Sequence, residues 1–143
     1  MSKKNVEALR TAHEKWNQRD FDGVVHNLAD NCIYADHARG RTIKGKQAFR
    51  QYVEDWAKSM SDGKITNPHY HDAGNQVVVE FTGEGTNDGS FAGFPPSNRH
   101  VSFSFCEIWT FDNHGRMITG GCYYDLYTIL TQMGHTKPLA SAA

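Results

Sequence analysis

The carboxylate at Asp125 lies inside "CYYDLYTILTQMG", among tyrosines, leucines and isoleucines. A buried carboxylate costs free energy unless something compensates it. Desolvation raises its pKa, and a raised pKa suits a group that takes and returns protons near neutrality. Asp125 also stands where "LYTIL" begins a short helix, and Asp is a favoured N-cap. On the sequence both readings of Asp125 are open, proton transfer and helix capping.

Further groups could join such chemistry. His37 follows Asp36 at the end of a short strand. It could orient a substrate or polarise a carbonyl beside Asp125; its other reading is an exposed loop histidine. Glu107 lies on the preceding strand as a substrate contact or a buried polar anchor. About 13 Å of strand would separate it from Asp125, too far for a carboxylate dyad. His69 and His71 share one side of a strand, but no Cys-x-x-Cys or His-Glu-x-x-His pattern supports a metal site, and none is expected. Gly83-Glu84-Gly85 lacks the lysine and helix start of a phosphate loop. No serine sits in a nucleophile elbow.

The elements that must position these groups fall into two halves. Val6, Leu9, His13 and Trp16 recur at helical spacing, which predicts a helix over 4–19. A shorter second helix is expected around Phe21, Val24, Val25 and Leu28, then the strand "NCIYADH" and the loop "RGRTIKG". Phe49, Tyr52, Val53, Trp56 and Met60 form the apolar stripe of a third helix over 46–60. From Lys64 onward the pattern is of strands: "KITNPHYHDAG", "NQVVVEFTGEGTN", "HVSFSFCEIWTF" and "GRMITGGCYYDLY". Helices first and strands afterwards predict an α+β fold, about three helices packed on one face of a curved antiparallel or mixed sheet, with a hollow between the layers. A single domain over 4–135 and a frayed tail over 136–143 are expected.

The last hairpin sets the faces. Asn113-His114-Gly115 fits a three-residue loop, a type I turn closed by a left-handed glycine. That register puts Glu107 opposite Gly121, Phe105 opposite Tyr123, and Phe103 opposite Asp125. One face would then carry Phe103, Phe105, Glu107, Trp109, Tyr123 and Asp125; the other Ser102, Ser104, Cys106, Ile108, Cys122 and Tyr124. A slip of one residue would move Asp125 to the serine face. Trp16, Tyr34, Tyr52 and Trp56 point inward from the other elements, so they, Phe103, Phe105, Glu107 and Tyr123 are the expected pocket lining.

The chain has 143 residues, 38% hydrophobic, 22% charged and 12% aromatic, with a net charge of -1. That supports one packed domain. It makes no electrostatic case for nucleic acid or an acidic membrane. No apolar run approaches a bilayer-spanning length. Three cysteines without CxxC spacing suggest free thiols in a reducing, cytoplasmic setting. Val78, Ile108, Ile118 and Tyr124 on the exposed sheet face suggest a partner surface.

The run "FCEIWTFDNHGRMITGGCYYDLYTILTQMG" resembles the C-terminal half of SnoaL-like polyketide cyclases, with a strand ending in Asp and a short helix closing on Gln-Met-Gly. "GSFAGFPPSNRHVSF" is similar to the family's loop, and "ADHARGRTIKGKQAFRQYV" to its earlier segment. The resemblance implies the cone-shaped fold of the nuclear transport factor 2 superfamily, a closed pocket, and a homodimer or homotetramer. It also implies an intramolecular aldol cyclisation, or a related proton-transfer isomerisation, of a small apolar carbonyl compound without a cofactor. Asp125 would be the acid/base. A non-catalytic ligand-binding domain and a steroid-isomerase-like activity are the alternatives. Gly120-Gly121 departs from the bulkier pattern of the cyclases at that place.

Overall fold

The apolar stripes gather the chain into helices against one face of a sheet. The computed structural model describes residues 2–140; the last three residues of the expected tail, 141–143, lie outside them. The elements run α1 Ser2–Asn17, α2 Phe21–Val25, β1 Leu28–Asp36, β2 Arg41–Lys44, α3 Lys46–Ser59, β3 Lys64–Ala73, β4 Gln76–Thr86, β5 His100–Phe111, β6 Met117–Tyr124 and α4 Leu126–Met133. Among the described residues no helix is long and apolar enough to cross a membrane.

Two expectations shift at the start. The second helix stops at Val25, and Leu28 already opens β1. The segment "RGRTIKG" holds a strand, β2, antiparallel to β1. The sheet order is β2-β1-β6-β5-β4-β3. Only β1 and β6 run parallel, so the sheet is mixed. Helix α1 ends where Arg19 turns to φ 62. Its guanidinium donates to the carbonyls of Ser61 at 2.9 Å and Gly63 at 2.8 Å, tying the helix end to the start of β3.

The core lies between this sheet and the helices. Trp109 of β5 is 1% exposed and packs on Tyr34 and Phe49, with centroids 5.1 and 5.5 Å away. Its ring lies flat over Gly120: a Cβ there would come within 2.5 Å of the indole. That accounts for this glycine where the cyclase pattern is bulkier.

The last hairpin corrects the expected faces. Its turn is as the sequence predicts: Gly115 has φ 76, and Asp112 N–H donates to the Arg116 carbonyl at 2.9 Å. Phe111 pairs with Met117 in the expected register. The next pair is Thr110 with Thr119, so Ile118 is an extra residue in β6, a β-bulge. Because side chains alternate with period two, one extra residue turns the rest of the strand over. Cys122 and Tyr124 therefore point inward with Phe105 and Glu107. Tyr123 and Asp125 point outward with Cys106 and Ser104, and Tyr124 does not belong to the outer face.

Candidate active site

The interior holds a cavity of about 90 Å³ lined by α1, α3 and the inner sheet face. Its walls include Trp16, Tyr34, Tyr52 and Trp56, together with Phe103, Phe105 and Glu107. Tyr123 is not among them. It is 51% exposed on the outer face, stacked on His37 at a centroid distance of 4.3 Å. His37 is exposed too, away from the cavity.

Asp125 is likewise exposed and outside the cavity. It caps α4: its carboxylate accepts from the Thr128 N–H at 3.1 Å and the Thr128 hydroxyl at 2.6 Å. Those bonds hold its pKa below the usual carboxylate range, the reverse of the desolvated group expected above. The bulge is the physical reason. It places the strand end outside the apolar layer, where the helix start supplies unpaired N–H groups.

A different carboxylate faces the cavity. Glu107 of β5 is 7% exposed. Tyr34 of β1 donates its hydroxyl to Oε2 at 2.6 Å. His13 of α1, itself 8% exposed, lies with Nε2 2.9 Å from Oε1. A carboxylate only accepts, so Nε2 donates to it, and the other ring nitrogen, Nδ1, lies 2.9 Å from the Tyr70 hydroxyl. The imidazole and the carboxyl thus share a proton path at the cavity wall. Burial keeps the Tyr34 phenol well above its ordinary pKa, and the neighbouring Glu107 charge adds to this. Tyr34 is therefore a fixed donor at neutral pH.

A second buried carboxylate lies on the same face of β1. Asp36 is 0% exposed. Tyr52 and Tyr124 each donate to Oδ2 at 2.8 Å, and the Arg39 N–H donates to Oδ1 at 3.0 Å. The last bond makes Asp36 the anchor of the β1–β2 turn. Burial, foremost, raises both phenols. Asp36 is not on the cavity wall; Tyr52 stands there instead.

Sequence reasoning missed the pairing of His13 with Glu107, though its signal was present. His13 is the polar member of an otherwise apolar stripe on α1, and Glu107 the one charge among inward aromatics on β5. Asp36 also had a signal, in the alternation Cys32, Tyr34, Asp36. His69 and His71 lie exposed on β3, and His71 approaches Glu80 at 3.7 Å. Among the described residues no group of three or more His, Cys, Asp or Glu side chains could hold a metal ion. Cys32, Cys106 and Cys122 are free.

The family model of SnoaL-like polyketide cyclases matches residues 6–133. The chain belongs to this family. Solved structures give the same fold at low identity. A candidate SnoaL-like polyketide cyclase from Jannaschia sp. CCS1 is 19% identical, with a TM-score of 0.85 over 95% of this chain and 94% of that one. AclR, a candidate hydroxylase from Streptomyces galilaeus, is 15% identical, with a TM-score of 0.84 over 98% and 87%. A protein with a ketosteroid isomerase-like fold from Catenulispora acidiphila, in complex with trimethylamine, is 18% identical, with a TM-score of 0.74 over 90% and 92%. No curated protein matches the chain. The family's cone is thus the fold of this chain, while neighbours named for different activities share it, so function must be argued from the site.

Proposed function

We propose that this SnoaL-like protein is a cofactor-free acid/base enzyme acting on a small apolar carbonyl compound inside the cone, with Glu107 and His13 as the proton-transferring pair. The observation that carries this reading is the Glu107 carboxylate on the cavity wall, bonded to His13 and Tyr34 in a mostly apolar lining that also includes Lys64 and Glu84. Glu107 would take a proton from carbon next to the carbonyl, and His13 would supply or accept one at oxygen. An aldol cyclisation and an isomerisation both begin with that step. The role that the resemblance gives to Asp125 passes to Glu107, because Asp125 is exposed and bound as a cap.

Size limits the substrate. Ligand pockets commonly reach about 300–1,000 Å³, and a cavity of about 150 Å³ holds benzene. At about 90 Å³ this cone suits a compound of one small ring or a short chain. A four-ring steroid or a long polyketide would have to displace the walls.

The test is proton exchange. Purified protein should speed deuterium uptake from D₂O at the carbons beside the carbonyl of cyclopentanone, and Glu107→Gln should return the rate to that of buffer. Wild-type protein that binds the ketone without exchange would favour the second reading, a ligand-binding domain without chemistry. The full partnering of both Glu107 oxygens supports that alternative. We place the expected self-association on the outer sheet face, where Ile33 is 44% and Tyr123 51% exposed; Tyr123→Glu should lower the mass measured by light scattering.

A further inference from the structure

We propose that Tyr70 is a positioning residue for the proton transfer: its hydroxyl keeps a bond to Nδ1 of His13 in both charge states of the imidazole, donating to the neutral ring and accepting from the imidazolium. The role rests on the reading of Glu107 and His13 as the proton-transferring pair. It is the role of the group that lets a histidine change charge inside a core.

A second bulge brings Tyr70 to the pair. The β3–β4 register shifts between Thr66 and His69, with Asn67 at φ 52. Asn tolerates that left-handed backbone better than most side chains, and Pro68 after it has no N–H for a ladder bond. The extra residue turns the rest of β3 over. Tyr70 is then half-buried, while His69 and His71 on either side of it are exposed. Tyr70 pairs with Val79, and Val79 with Glu107, so the three form one row across the inner sheet face. His13 of α1 spans that row. Its Nε2 lies 2.9 Å from Glu107 and its Nδ1 2.9 Å from the Tyr70 hydroxyl. Arg10, one turn earlier on α1, covers the Tyr70 ring with its guanidinium 4.5 Å from the centroid, a contact that steadies the phenol.

The partner at Nδ1 decides what a buried imidazole can do. His13 is buried, so each ring nitrogen depends on a protein partner. A backbone carbonyl at Nδ1 would only accept, and would hold a proton there. A hydroxyl rotates and serves as donor or acceptor. While Nε2 donates to charged Glu107, a bare Nδ1 takes a bond from the Tyr70 O–H. When the ring becomes imidazolium, Nδ1 carries a proton too, and the Tyr70 oxygen accepts it. Burial, foremost, raises the Tyr70 phenol well above its ordinary pKa, so the hydroxyl keeps its own proton throughout. Among the other neighbours, Phe81 of β4 meets the imidazole edge-on at 5.3 Å between centroids and brings no charge. Glu7, Arg10 and Glu14 of α1 act on the phenol through their charges alone.

The test removes only the hydroxyl, in Tyr70→Phe, with cyclopentanone as the probe. The maximal exchange rate should fall about 10–100-fold, the worth of a hydrogen bond to a charged group. The KM for the ketone should stay within about twofold, because the lost bond does not touch it. Nitrogen-15 spectra of the histidine rings give a readout independent of activity; His13→Ala assigns the signals among the eight histidines. In wild type the neutral ring should carry its proton on Nε2, with Nδ1 hydrogen-bonded. In Tyr70→Phe the Nδ1 signal should move to that of an unbonded nitrogen. The imidazolium should also form only at lower pH, since the bond to the charged ring is the stronger one lost. A neutral wild-type ring protonated on Nδ1 would overturn the proposal without any variant. Identical titration of His13 in wild type and Tyr70→Phe, or an unchanged rate, would overturn it too, and would leave the pair standing as long as Glu107→Gln still abolished exchange. Wild-type protein without exchange would overturn the acid/base reading and this proposal with it.

Discussion

Glu107 and Asp125 are carboxylates on one β-hairpin and its exit, yet they inhabit opposite environments. Glu107 points into the cone, is 7% exposed, and is bonded to His13 and Tyr34. Asp125 points out, is exposed, and caps α4 through Thr128. The chemistry of the side chain is nearly the same in both. What separates them is one extra residue, Ile118, in β6. A carboxylate becomes a candidate for proton transfer through the layer it faces and the donors it meets there, and position in a motif does not decide that.

Several substitutions would break or sharpen this contrast. The largest effect is the loss of exchange in Glu107→Gln, and His13 comes next. His13→Ala should lower ketone exchange by about 10²–10⁴-fold, the usual worth of a positioned acid or base. An unchanged rate would place the chemistry elsewhere. Glu107→Ala should cost stability too. The change leaves the buried Tyr34 O–H and His13 N–H without their acceptor, at about 1–3 kcal/mol each, and urea unfolding of Glu107→Ala should show a loss of that order. Gly120→Ala tests the wall behind the pair. Its new methyl would strike the Trp109 ring, and overpacking of this kind costs about 1–3 kcal/mol.

The alkaline limb gives a smaller effect with a defined sign. Burial pushes the Cys122 thiol up to about 12 from its ordinary 9.0. A folded pKa above the unfolded one means stability that is complete below pH 9.0 and is lost as pH rises toward 12. Cys122→Ala should flatten denaturant midpoints across that window. Asp125 works in the opposite direction. Its lowered pKa gives stability that is present above the ordinary carboxylate range and lost as pH falls through the folded value. Asp125→Asn keeps a cap, so it should flatten the acid limb and change little at neutral pH.

Much of this was legible in the sequence, because it rests on local rules. The stripe on α3 and the alternation on β5 fixed which aromatics line the cavity. The turn at Asn113-His114-Gly115 followed from its glycine. The bulge was not legible: "RMITGG" carries no glycine at Ile118, and a bulge is selected by the fit of both neighbouring strands, β1 and β5. Strand β2 was hidden in a polar segment, since only Ile43 of its four residues is buried. The network of His13 was hidden for another reason. A polar residue on an apolar stripe gains its meaning from a partner far along the chain, here Glu107.

The most direct test compares the two carboxylates in one assay. Deuterium uptake by cyclopentanone would be followed with wild type, Glu107→Gln and Asp125→Asn at equal concentration, each checked for folding by circular dichroism. The account predicts a fall of about 10²-fold or more for Glu107→Gln and a near wild-type rate for Asp125→Asn. Loss of exchange in Asp125→Asn, with Glu107→Gln unaffected, would contradict it and return the chemistry to the strand end.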